Sequence, residues 1–135
     1  LLADFKNVKM LILTHKYYDA LGIMNKYSTL MNSNDLIRFY FIWIKLHGAF
    51  YNDFLLDINR ISTELSQIDQ ALVGHANYYY VLGLLESCKN RPKESLEYFT
   101  KAVVTEDSSA RFPIQKKQIN ASVSLWDKIK KVISS

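Results

Sequence analysis

A-N-Y-Y-Y-V-L-G-L-L-E-S-C-K-N-R-P-K-E-S-L-E-Y-F-T-K-A-V-V-T-E-D, residues Ala76 to Asp107, decides the fold. Its apolar residues recur at three and four, the helical period, on two faces separated by a polar break from Lys89 to Pro92. Two helices joined by so short a turn lie side by side, and where they touch closely the side chains are small: Gly83 on the first, Ser95 and Ala102 on the second. The stretch therefore predicts a helical hairpin.

The same spacing appears upstream. Leu1, Leu2, Phe5, Val8, Leu11 and Ile12 predict a helix to about His15, and Tyr17, Ala20, Leu21, Met24 and Tyr27 predict a second over Lys16 to Met31. Asn32-Ser33-Asn34-Asp35 supplies cap chemistry for a third helix, Leu36 to His47, which is apolar nearly all round and must be covered on two sides. Gly48 is expected to end it. Asn52-Asp53 is expected to cap the next helix, Phe54 to about Gln67, with Phe54, Leu55, Ile58, Ile61 and Leu65 inward. Downstream, Ser108 to Ala110 reads as a linker, and Pro113 to Ile133 as an amphipathic helix with Ile119, Val123, Trp126, Ile129 and Ile133 on one stripe.

The hairpin resembles a tetratricopeptide repeat, a unit of about 34 residues. Counted from Ala76, the repeat puts Tyr79 and Leu82 on the inner face of the first helix, Gly83 at its eighth position, Ser95 at the twentieth, Phe99 at the twenty-fourth and Ala102 at the twenty-seventh. Val8 to Ile42 (42 − 8) and Ala20 to Phe54 (54 − 20) are each 34 residues, while Ile42 to Gly83 (83 − 42) is 41, so seven extra residues fall in Ser66 to Gly74. The resemblance implies an all-α, right-handed superhelix of helix-turn-helix repeats at about 1–34, 35–68 and 76–109, with a capping helix at about 113–133. Val8, Ile42 and Phe54, standing where the repeat has small residues, imply looser packing in the first two units.

For function, the resemblance implies a protein-interaction module that binds an apolar helix or peptide in a concave aromatic groove. Carried onto this chain, the groove positions give Phe39, Tyr40, Trp43 and His47 from the second repeat and Asn77, Tyr80 and Leu84 from the third. An atypical register would make those rings core instead. The positions that clamp acidic chaperone tails in this family hold Phe5, Lys9, Tyr40, Asn77 and Val81, so no such ligand is expected. Two other readings are a peptide-sensing domain of a transcriptional regulator and an RNA- or DNA-contacting repeat. Against the latter, Glu94, Glu97, Glu106 and Asp127 interrupt the basic residues near the C-terminal end, and the net charge is only +4.

Chemistry-bearing motifs are absent. His15, His47 and His75 are scattered and expected at turns or the surface, Cys88 is the single cysteine, and no Gly-rich loop, GxSxG or close ligand pair occurs. No enzyme, cofactor or metal is expected. The lone cysteine and the absence of an 18-residue apolar run point to an intracellular setting, cytoplasmic or nuclear, without a membrane span. With Leu1 in place of Met, the chain is expected to be a piece of a larger protein or a processed product.

Overall fold

The computed structural model describes residues 2–50 and 55–105, together with positions 124, 127, 128 and 131. The described residues are helical or in turns: α1 (Leu2–Leu13), α2 (Tyr17–Met24), a 3-10 helix (Asn25–Leu30), α3 (Asp35–Phe50), α4 (Ile58–Ser66), α5 (Gln70–Val73), α6 (His75–Cys88) and α7 (Pro92–Thr105). The chain is thus all-α, and it divides into two compact units, Leu1–Val73 and Gly74–Ser135.

In the second unit α6 and α7 form the expected hairpin. Phe99 fills the space over Gly83, where a methyl group would overlap its ring. The Ser95 hydroxyl, wholly buried, donates to the Gly83 carbonyl at 2.8 Å, so the small residue also satisfies its own polar atom. Tyr80 and Phe99 pack with ring centroids 5.5 Å apart, and Ala102 is buried. Tyr79 and Leu82, expected inward, are only half-buried, because α6 turns Tyr78, Tyr80, Val81, Leu84 and Leu85 inward instead.

The turn of this hairpin follows from its backbone hydrogen bonds. Asn90 takes the left-handed conformation (φ 59°), its N–H donates to Ser87 O (3.0 Å), and that of Arg91 donates to Glu86 O (3.0 Å). This pairing closes a helix end and satisfies its carbonyls. Glu86 then pairs with Arg91 (3.3 Å) and Lys89 (3.7 Å), pinning the turn electrostatically.

The first unit repeats that turn. His15 is left-handed (φ 60°), its N–H donates to Ile12 O (3.1 Å), and that of Lys16 donates to Leu11 O (2.8 Å). His15 and Asn90 are 75 residues apart (90 − 15), the same offset that separates Val8 from Gly83 and the first residues of α2 and α7, Tyr17 and Pro92. Two hairpins in one chain thus share turn chemistry and register. They differ after Met24, where α2 gives way to the 3-10 helix while α7 runs on. Tyr27 stands at the offset of Ala102; a ring cannot enter the close contact a methyl fills, and it lies instead edge-on to Phe5 (6.3 Å), its hydroxyl donating to Asp4.

α3 is capped by the Asn34 side chain, which accepts from the Leu36 and Ile37 N–H groups (both 3.1 Å). Three boundaries differ from expectation: α2, expected to run to Met31, ends at Met24, where the 3-10 helix takes over. Gly48 does not end α3; it is buried within the helix, which continues to Phe50. α4 begins at Ile58 rather than Phe54, because Asp57 caps it by accepting from Arg60 N–H (3.2 Å). Ile61 and Leu65 are buried as expected, Ile58 is half-buried, and Leu55 is non-helical and fully exposed. The extra seven residues hold a turn and the short α5, after which Gly74, at φ 92°, breaks the chain before α6. Asn52, Asp53, Phe54 and the 108–110 linker lie outside the described residues. In the 113–133 segment, Ser124, Asp127, Lys128 and Lys131 are helical and exposed, spaced three, one and three along one stripe; the apolar stripe expected there also lies outside.

Candidate functional site

The seven residues expected to line an open groove are all buried. Phe39, Trp43, His47, Asn77, Tyr80 and Leu84 have no exposed surface, and Tyr40 has 2%. For α3 the reason is visible in its neighbours. Phe5 of α1 stacks on Tyr40 (centroids 4.2 Å, planes 14° apart), Tyr40 and Trp43 meet edge to face (6.0 Å), and Trp43 meets His47 the same way (5.4 Å, 87°). Tyr17, from the first residue of α2, stacks on His47 at 6.1 Å. The rings form a continuous buried ladder between the first hairpin and α3, worth more than area alone through their edge and offset geometry. In the second unit, Tyr80 meets Phe99.

His47 also corrects the expectation that the histidines are turn or surface residues. His15 and His75 are exposed and stand at helix ends, whereas His47, in the last turn of α3, is wholly buried. Burial, and secondarily the charge of His15, hold its imidazole down at about 3, so it is neutral at ordinary pH. His15 Nδ1 lies 2.6 Å from the Tyr17 hydroxyl, so an exposed imidazole and a buried one bracket the same tyrosine. Burial likewise pushes the Cys88 thiol up to about 11, where it is a poor nucleophile. Among the described residues no three His, Cys, Asp or Glu side chains are grouped to hold a metal ion, and no helix is long and apolar enough to cross a membrane.

What the first unit does expose is a groove of about 560 Å³ between α2 and α4. Tyr18, 66% exposed, and Leu55 stand on it, Leu21, Leu56 and Ile61 supply apolar lining, and Lys45 reaches it from α3. Its charges are partly spent internally: Arg60 pairs with Glu64 at 3.1 Å and Asp57 caps α4. Such a surface suits apolar contact more than binding of a charged ligand. Sequence periodicity placed Leu55 inward and left Tyr18 out of the site. The available signal was that Tyr18 follows the buried Tyr17, and adjacent helical residues point about 100° apart.

Comparison with protein families, with curated proteins and with solved structures gives no match to this chain.

Proposed function

We propose that this chain is a tetratricopeptide-like helical-repeat module whose work is contact with another protein, through an apolar helix or peptide of that partner. The observation that carries the reading is the hairpin repeated at an offset of 75 residues, with matching left-handed turns at His15 and Asn90 and, in the second copy, the Gly83, Ser95, Phe99 and Ala102 contact. Helical-repeat arrays are a binding architecture, and a right-handed superhelix in a reducing intracellular compartment is the setting the reading implies. The reading assigns no reaction and no cofactor. Because the ladder through Tyr40, Trp43 and His47 is buried, contact falls to the exposed groove around Tyr18 and Leu55. Its preordered helical walls lower the ordering cost of association.

The test is affinity capture with wild type and with Tyr18→Ala/Leu55→Ala, both shown folded by circular dichroism, with bound proteins and nucleic acids identified. A specific protein lost from the variant and bound directly by the purified wild-type chain supports the reading. Retention of every partner by the folded variant rejects the groove. Capture of nucleic acid, in a manner that weakens steeply with salt, rejects the protein-contact reading itself.

A further inference from the structure

Among the described residues, the groove between α2 and α4 carries four charged side chains, Lys45, Asp57, Arg60 and Glu64. Three of them are already engaged. Arg60 pairs with Glu64 at 3.1 Å, and Asp57 caps α4 by accepting from the Arg60 N–H at 3.2 Å. Lys45 differs. It stands half-buried on α3 with its ammonium 5.9 Å from the centre of the Phe41 ring, and among the described residues no carboxylate pairs with it. The ring face attracts the cation and fixes where it stands without neutralising it.

That placement decides what can cover the groove. Tyr18, Leu21, Leu55 and Ile61 offer apolar surface, but a wholly apolar partner laid over them strips water from the Lys45 ammonium and gives no counter-charge in return. A partner that brings a carboxylate to the ammonium meets both demands, and one presenting Lys or Arg there is repelled. The partner's backbone is constrained as well. Leu21, Lys45, Ile61 and Glu64 all lie inside helices, where N–H and C=O groups are bonded within the helix, so an extended peptide finds no ladder to join. A helix arrives with its own hydrogen bonds made and needs only side-chain contact.

We infer that the groove takes an amphipathic helix of another protein whose apolar face carries an Asp or Glu, and that Lys45 receives that carboxylate. The inference rests on the protein-contact reading of the groove and adds to it the charge of the partner. Lys45 sets specificity, while Tyr18, Leu21, Leu55 and Ile61 supply area. The pair is modest in strength: an ammonium that stays partly in water gains about fivefold in affinity from such a contact.

The test is selection of a displayed library of helix-favouring peptides, each about 15 residues so that helical structure can form, against the intact chain. Enriched peptides are expected to carry apolar residues at three- and four-residue spacing with an Asp or Glu on the same stripe, and to lose binding to Tyr18→Ala/Leu55→Ala. Replacing that acid by its amide should weaken binding to wild type about fivefold. In Lys45→Met, which keeps an apolar stem without the charge, the same replacement should change binding by less than about twofold. Selection against Lys45→Glu should enrich Lys or Arg in place of the acid. Every variant is first shown folded by circular dichroism. Peptides that need Tyr18 and Leu55 but carry no acid, or whose acid counts equally in Lys45→Met, overturn the inference and leave the protein-contact reading standing. If no enriched peptide depends on Tyr18 and Leu55, both fall. Self-association of the wild-type chain that Tyr18→Ala/Leu55→Ala abolishes assigns the groove to a second copy and also overturns the inference.

Discussion

Phe99 lays its ring against Gly83 so closely that the α6–α7 hairpin has no space for a methyl group at residue 83. Two helices can cross at this spot only because one side chain is missing. Replacing Gly83 by Ala gains up to about 1 kcal/mol of helix propensity but forces the ring aside, and overpacking of this kind costs about 1–3 kcal/mol. A net loss of roughly 1–2 kcal/mol is expected in urea unfolding. Adding Phe99→Leu should make the Gly83→Ala change less costly than it is alone, since the flexible side chain can move off the new methyl; a simple sum of the two losses would mean that Phe99 is not what excludes the methyl group.

Gly22 presents the opposite case. It is exposed on α2, with nothing within 4 Å of where a methyl would stand. Here only the propensity term acts, so Gly22→Ala should stabilise the chain by about 1 kcal/mol, seen as a higher urea midpoint with unchanged slope. A destabilised variant would mean that this face of α2 is covered.

Trp43 separates core from surface. It is wholly buried in the ring ladder, so Trp43→Ala removes a large side chain and leaves a cavity, an expected loss of about 3–5 kcal/mol in urea unfolding. Tyr18→Ala, at an exposed position, should change stability by less than about 0.5 kcal/mol. Near-equal losses would overturn the distinction between ladder and groove.

These residues show why some of the architecture could be read from sequence and some could not. Close contact demands small side chains, so Gly83, Ser95 and Ala102 announced their hairpin, and periodicity announced α1 to α3. Apolar content all round α3 said that two sides are covered, but an open aromatic groove and a buried aromatic ladder demand the same residues; Phe5 arriving on Tyr40 decides between them. The boundaries failed for a local reason. Asp53 and Asp57 offer the same cap chemistry, and Gly48 can end a helix or sit inside one, as it does here. His47 was legible in part, since Tyr40, Trp43 and His47 recur at three and four on one stripe. Its protonation state was not, because burial is set by Tyr17 from another helix.

The Tyr27 hydroxyl, rather than any helical hydrogen bond, ties the 3-10 helix back to α1 by donating to Asp4. That hydrogen bond, and after it the Lys26 charge at 3.8 Å, holds the Asp4 carboxyl below its ordinary value, while the same bond raises Tyr27. A carboxylate lowered in the folded state adds stability above its unfolded value, near 3.9, that is lost as pH falls through the folded one. Tyr27→Phe keeps the edge contact with Phe5 and deletes only the donor. In the variant, NMR titration of Asp4 should move up toward the ordinary carboxylate value, stability at neutral pH should fall slightly, and the Asp4 share of the acid arm of the stability curve should shrink, because its folded and unfolded values draw together. An unmoved Asp4 would assign the shift to the neighbouring positive charges, Lys26 foremost. In a Lys26→Met control, Asp4 should stay low, because the hydroxyl and not the distant ammonium does most of the lowering.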